Sequence, residues 1–344
     1  MNIRHIPGAR PHGIWVPLVT PLRHGALDLV RLQTLAETMI DQGVHGLVVC
    51  GTTGEAATLE AGEQSAVLSA VLEVAHQRCP VLMGISGNDT YAAASTAMRF
   101  DGLNIAGYLV SAPSYVKPSQ QGMLRHFEVI ADATGKSIVL YNVPGRTGVN
   151  LELATVQKLA LRPQFTAIKE AGGDLRHMSE LVAQVPLAML CGDDALLFAA
   201  LCAGGHGAIS ATAHLRPDLF VQLYDLIQAQ ELVQARALFQ LLLPMIRLMF
   251  TESNPAPLKA ALALRGLIRD ELRLPMTPVG DELRTRIGIA LGGLMDIPSY
   301  PPRRAAYGGA AAAAATAAVP TSAAAATAAA ASPARPAVRA EMHV

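Results

Sequence analysis

The sequence predicts an α/β fold, a (β/α)8 TIM barrel followed by a small C-terminal helical segment and a disordered, alanine-rich tail. Short apolar runs rich in Val, Ile and Leu recur through the first two-thirds of the chain, at 14–19, 46–50, 81–85, 107–111, 137–141, 166–169, 188–191 and 208–210. Helical patterns fill the gaps between them. At 30–42, for example, Leu32, Leu35, Met39 and Ile40 fall on one face, and 120–133 is a second such stretch. Strands alternating with helices pair in parallel, and eight such units close into a barrel. A doubly wound open sheet is the alternative, but no G-x-G-x-x-G turn follows the first strand.

The third observation is that strands stop beyond about residue 225. Stretches 235–249, 257–265 and 281–294 read as helices, so the expected organisation is a barrel at 1–230 and a helical segment at 231–298. From 299 to 344 the composition collapses into alanine with Pro, Thr, Ser and a few Arg. Alanine favours helix, yet that stretch has no face of large apolar side chains with which to dock.

Of the 344 residues 51% are hydrophobic, enough for a sizeable core, and 27 basic residues balance 27 acidic ones. A net charge of zero gives no reason to expect a nucleic-acid partner. Pro7, Pro11 and Pro17 interrupt any signal-peptide-like run. Residues 238–250 come nearest to a membrane span but carry Pro244 and Arg247, so no membrane partner is expected. Cys50, Cys79, Cys191 and Cys202 form no CxxC pair, and Cys50 and Cys191, in strand-like runs, read as buried, reduced thiols of a cytoplasmic protein. The ten histidines form no HExxH or HxH pair, which leaves little support for a metal site.

Chemistry concentrates where the predicted strands end. The chain has only five lysines, and Lys169 sits in the apolar run Phe165-Thr-Ala-Ile-Lys-Glu-Ala-Gly-Gly173. Burying an ammonium costs several kcal/mol, and a buried amine escapes by giving up its proton, as a Schiff-base nucleophile must. The competing reading is a lysine that snorkels past the strand or pairs with Glu170. After the second strand, Gly51-Thr-Thr-Gly-Glu55 offers hydroxyls and free backbone N–H groups suited to a carboxylate, though such turns also serve as plain N-caps. Ser111-Ala-Pro-Ser-Tyr115 follows the fourth strand, and Tyr141-Asn-Val-Pro-Gly-Arg-Thr-Gly148 follows the fifth. A lysine, a hydroxyl turn, tyrosines and an arginine on one rim suit a keto acid.

These motifs, together with Ile168-Lys-Glu-Ala171, Gly192-Asp-Asp194 and Gly204-Gly-His-Gly-Ala-Ile-Ser210, resemble those of the dihydrodipicolinate synthase family. That family belongs to the pyruvate-dependent class I aldolases, which also include the N-acetylneuraminate lyases. The resemblance runs from about residue 13 to 297, including Leu272-Arg-Leu-Pro-Met-Thr-Pro278. It implies that Lys169 forms the Schiff base with pyruvate. Tyr141 would move protons, with Thr52 and Tyr115 as relay partners, Tyr115 reaching across from a neighbouring subunit of a homodimer or homotetramer. Thr53 and the backbone at Ile209 would bind pyruvate, with Gly192 close by, and Arg146 would receive the carboxylate of aspartate 4-semialdehyde. The implied reaction needs no cofactor and no metal, and opens lysine and diaminopimelate synthesis.

Two other functions compete: an aldolase or dehydratase acting on a sugar acid or another aldehyde, and a catalytically silent metabolite-binding barrel. Arg146 disfavours the sialic-acid lyases, which lack an arginine in that turn. The intact Lys169, Tyr141, Thr52 and Tyr115 disfavour the silent barrel. The positions that hold an inhibitory lysine in sensitive family members are here Ala61, Gln64, Ala92 and Ser114, with only Asn88 retained, so feedback inhibition by lysine is expected to be absent.

Overall fold

A computed structural model describes residues 10–301. The alanine-rich tail lies, from residue 302 onward, outside the described residues. Eight parallel strands close into a barrel: β1 (Gly13–Pro17), β2 (Gly46–Val49), β3 (Val81–Ile85), β4 (Gly107–Ser111), β5 (Ser137–Asn142), β6 (Phe165–Glu170), β7 (Ala188–Cys191) and β8 (Gly207–Ile209). All eight predicted strands are present, with ends shifted by no more than two residues. Each neighbour in sequence is a neighbour in the sheet, and β1 closes the barrel by pairing with both β2 and β8. Parallel strands buried on both faces read as unbroken apolar runs, which is why these segments stand out in the sequence.

Helices follow every strand: α1 (Leu29–Asp41), α2 (Ala61–Ala75), α3 (Thr90–Phe100), α4 (Gln120–Asp132), α5 (Leu153–Leu159), α6 (Leu175–Gln184), α7 (Leu197–Cys202) and α8 (Pro217–Gln228). Side-chain caps start several of them. Asp28 accepts from Arg31 N, Asp89 from Tyr91 N and Ala92 N, and Ser119 from Gly122 N. Each satisfies backbone donors that the first turn leaves unpaired. In α1 the buried face is Leu32, Leu35, Ala36 and Met39, with Ile40 half-buried at its edge. Burying each of the large side chains stabilises by about 1.5–3 kcal/mol.

Strand periodicity decides which side chains reach the site. Successive residues alternate between the barrel interior and the layer beneath the helices. Trp15, Val48, Leu82, Leu109, Val139, Ala167, Leu190 and Ile209 form the interior cluster. Tyr141 shares its face with Val139, and Lys169 shares its face with Ala167. Ile168 belongs instead to the outer core. The same alternation sends Glu170 outward, away from Lys169.

Three more helices, α9 (Leu232–Met249), α10 (Ala256–Leu264) and α11 (Asp281–Met295), follow the barrel and pack on one another, with α9 also against α8. α9 begins three residues before the predicted stretch and runs through Pro244. Its inward face is Ala235, Leu238, Leu242, Met245, Ile246 and Met249, as in a core helix. Cys50, Cys79 and Cys191 are buried, Cys202 is exposed, and all four are free thiols.

Candidate active site

At the C-terminal ends of the strands lies a cavity of about 900 Å³. Thr52, Thr53, Tyr141, Arg146, Lys169, Gly192 and Ile209 all line it. Seven of the eight site residues expected from sequence therefore meet in one place. Tyr115 does not. It is 87% exposed and lies outside this cavity, on a loop where its own φ of 68° is a left-handed conformation unusual for a tyrosine.

Lys169 is 6% exposed at the end of β6, and its Nζ stands 4.4 Å from the centroid of the Tyr141 ring. The register Tyr141↔Lys169 across β5 and β6 brings the two side chains together on the interior face. Among the described residues no carboxylate lies within ion-pairing distance of this amine. The pairing with Glu170 considered above does not occur. Glu170 accepts from Gly172 N at 2.6 Å and from Asn142 Nδ2 at 2.8 Å on the opposite face. Burial pushes its carboxyl above the usual carboxylate range.

Gly192 forms a floor beside the lysine stem. A β-carbon placed there would stand 2.8 Å from Lys169 Cε and 2.8 Å from Ala171 Cβ, so only glycine fits without displacing the amine. Asp193 lines the cavity. Asp194 is turned away and buried, where it accepts from Thr212 N at 2.8 Å just beyond β8. Desolvation pushes its carboxyl upward, opposed by its hydrogen bonds to Thr212.

The turn after β2 is bracketed by two non-glycine residues in left-handed conformation, Cys50 (φ 52°) and Glu55 (φ 55°). It closes on itself through Gly54 N to Gly51 O and Glu55 N to Thr52 O, both 3.1 Å. Thr20 fastens it to the rim by donating to Gly54 O at 2.7 Å. Arg146 lies on a short helical turn, Pro144–Thr147, and its Nη2 donates to the Asn254 carbonyl at 3.1 Å.

Asn254 is the residue that sequence reasoning missed. It is buried between α9 and α10, and its Nδ2 donates to Thr53 Oγ1 at 2.9 Å. Ile246, Arg247, Phe250 and Glu252, from the end of α9 and the following loop, also line the cavity. The available signal is the polar stretch Thr251-Glu-Ser-Asn254 between two apolar helices. Nothing local in it reveals a partner 201 residues away.

A second cavity of about 320 Å³ adjoins the first through Thr52, Arg146 and Asn254. Ser86, Ser111, Ser114 and Thr58 give it a wall of hydroxyls.

The model of the Dihydrodipicolinate synthetase family aligns with residues 10–292. The chain belongs to this family. A 4-hydroxy-tetrahydrodipicolinate synthase of Geobacter sp. (strain M21) is 42% identical over 269 residues, covering 78% of this chain and 93% of the relative. Among solved structures, the dihydrodipicolinate synthase of Thermotoga maritima superposes with a TM-score of 0.80 at 34% identity, covering 82% of this chain and 97% of its own. The 4-hydroxy-tetrahydrodipicolinate synthase of Methylacidiphilum fumariolicum SolV gives a TM-score of 0.81 at 34% identity, covering 83% and 96%. Family membership thus extends over the barrel and the helices that follow it, the stretch that supplies Asn254 included.

Proposed function

We propose that this protein condenses pyruvate with L-aspartate 4-semialdehyde to give 4-hydroxy-tetrahydrodipicolinate, the first committed step of lysine and diaminopimelate synthesis. The observation that carries this reading is Lys169: a buried amine without a counter-ion, 4.4 Å from the Tyr141 ring, in a cavity that also holds a hydroxyl turn and an arginine. The lysine amine adds to the pyruvate carbonyl carbon and water leaves, forming the imine. The imine draws electrons from the methyl group, which loses a proton and becomes the nucleophilic carbon of an enamine. That carbon attacks the aldehyde, and the amine of the second substrate then displaces Lys169 as the ring closes.

Each step moves a proton over a short distance, a task suited to phenol and hydroxyl groups held in fixed positions. Tyr141 and Thr52 take that role in this reading. Thr53, the Ile209 backbone and Gly192 surround the pyruvate, and Arg146 faces the carboxylate of the aldehyde, a planar match for a guanidinium. No step calls for a metal or an organic cofactor. Borohydride reduction in the presence of pyruvate is expected to fix a three-carbon adduct on Lys169, and none on Lys169→Ala. An adduct on another lysine, or active protein that cannot be trapped, defeats the reading.

Tyr115 enters as a relay residue donated between subunits of a cytoplasmic homodimer or homotetramer. Its exposure, and the hydroxyl-lined cavity beside Thr52, support that assignment. Tyr115→Phe and Lys169→Ala chains, each nearly inactive alone, are expected to regain activity when mixed into shared oligomers. Verified exchange without recovery excludes the role.

A further inference from the structure

Glu55 ends the turn that carries Thr52 and Thr53, yet it is not among the residues lining the catalytic cavity. Its carboxylate is buried and ion-paired with Lys259 Nζ on α10, while its other oxygen accepts from Arg273 N at 3.2 Å. Lys259 is itself fully buried and donates to the Glu271 carbonyl at 2.8 Å. Five residues before Lys259, Asn254 holds Thr53 through its amide and Arg146 through its carbonyl. One short stretch of chain therefore grips the catalytic turn at two points.

Replacing a buried ion pair by neutral groups of similar shape is often neutral or stabilising, whereas removing one partner is costly. Net stability therefore gives a weak account of this pair, while the place it holds gives a stronger one. Glu55 adopts a left-handed conformation that a residue with a β-carbon populates only when its surroundings impose it. The ion pair and the hydrogen bond from Arg273 N both fix the side chain of this residue.

We propose that the Glu55–Lys259 ion pair is a positioning device, setting the Thr52–Thr53 turn in register with Asn254 and with the Lys169 amine. Lys259 lines neither cavity, and Glu55 lines only the adjoining one. The inference rests on the Schiff-base reading above, because it assigns Thr52 and Thr53 their work. The test compares Lys259→Met with the doubly neutral Glu55→Gln/Lys259→Met, in which no buried charge is left unpaired. Melting temperature, kcat, KM for pyruvate and borohydride trapping are measured on folded protein.

Displacement of the turn by even an ångström is expected to lower kcat/KM by about tenfold to a hundredfold. KM for pyruvate should rise, and trapping at saturating pyruvate should persist because Lys169 is intact. The double variant should recover its melting temperature without recovering kcat/KM. Wild-type kinetics in either variant, or recovery of kcat/KM together with stability in the double variant, overturns the proposal. Should Lys259→Met fail to fold, the double variant alone decides. Wild-type protein run in parallel separates the two readings. Its failure to trap pyruvate defeats the Schiff base, whereas trapping with unaltered variants defeats only the positioning role.

Discussion

Lys169 and Lys259 are both buried, and the regions around them put burial to opposite uses. Lys169 stands at the end of a barrel strand, over an aromatic ring, with no carboxylate in reach. Lys259 lies in a helix of the C-terminal segment, ion-paired with Glu55 and bonded to a carbonyl. The second is the more deeply buried of the two, at 0% exposure against 6%. Depth of burial therefore does not identify a nucleophile. In the proposed reading, what separates the nucleophile Lys169 from the structural Lys259 is that only Lys259 has a counter-ion. Removing one partner of a buried pair strands the other charge, whereas removing a buried group that has no ionic partner strands nothing.

That contrast predicts opposite effects of the same substitution. Lys169→Met should reduce turnover by at least about a thousandfold, since no other group supplies the covalent step. Its melting temperature should hold or rise, because an unpaired polar group leaves the interior. Lys259→Met should instead destabilise by about 3–5 kcal/mol, because the Glu55 carboxylate is stranded. Thermal or urea unfolding of both variants checks this, and a Lys169→Met variant as unstable as Lys259→Met breaks the distinction.

A subtler probe leaves both lysines in place. Gly192→Ala adds one carbon 2.8 Å from Lys169 Cε, so the amine must shift. A loss of about a hundredfold in kcat/KM is expected, with little change in unfolding midpoint. Activity close to wild type would mean that the lysine stem tolerates repositioning.

The smallest expected effect concerns free lysine as an effector, which we propose has no binding site here. Gln64 accepts from Arg99 Nη2 at 3.3 Å, so its side chain is already engaged by a cation. Ala61, Ala92 and Ser114 offer it neither charge nor an apolar wall. Each lost charge-assisted hydrogen bond is worth roughly 1.5–3 kcal/mol, more than tenfold in affinity. A lysine titration at saturating pyruvate should leave the rate unchanged into the millimolar range, and half-inhibition below about a millimolar contradicts this.

The strands and most of the rim are legible in the sequence because their signals are local. An apolar run of four to six residues bounded by a turn needs no distant partner to be recognised, and a lysine inside one is conspicuous. Lys169, Tyr141, Arg146 and the Thr52–Thr53 turn stand out at or just beyond predicted strand ends, whereas Ile209 and Gly192 follow only from the family resemblance. Lys259 carried the same kind of signal, lying in Pro255-Ala-Pro-Leu-Lys-Ala-Ala-Leu262, but a helical run hides a buried lysine better than a strand does. Its counter-ion, at the end of a motif that reads as catalytic, lies 204 positions earlier by the difference of 259 and 55. Asn254 was illegible for the same reason. Its role exists only after the helices beyond the barrel have docked.

The long reach of those contacts also has a consequence for biosynthesis. The last barrel strand ends at Ile209, while the contacts holding the catalytic turn extend to Arg273, a further 64 residues by the difference of 273 and 209. At about 5–20 residues per second, a ribosome needs roughly 3–13 s to supply them. During that interval all eight strands have been synthesised, but the groups that fix Thr53 and Glu55 have not all been made. A nascent chain halted between these points carries every residue of the Lys169–Tyr141 pair and still lacks a finished site. Completion of the rim around Thr53 and Glu55 is therefore a late event in synthesis, following that of the whole barrel.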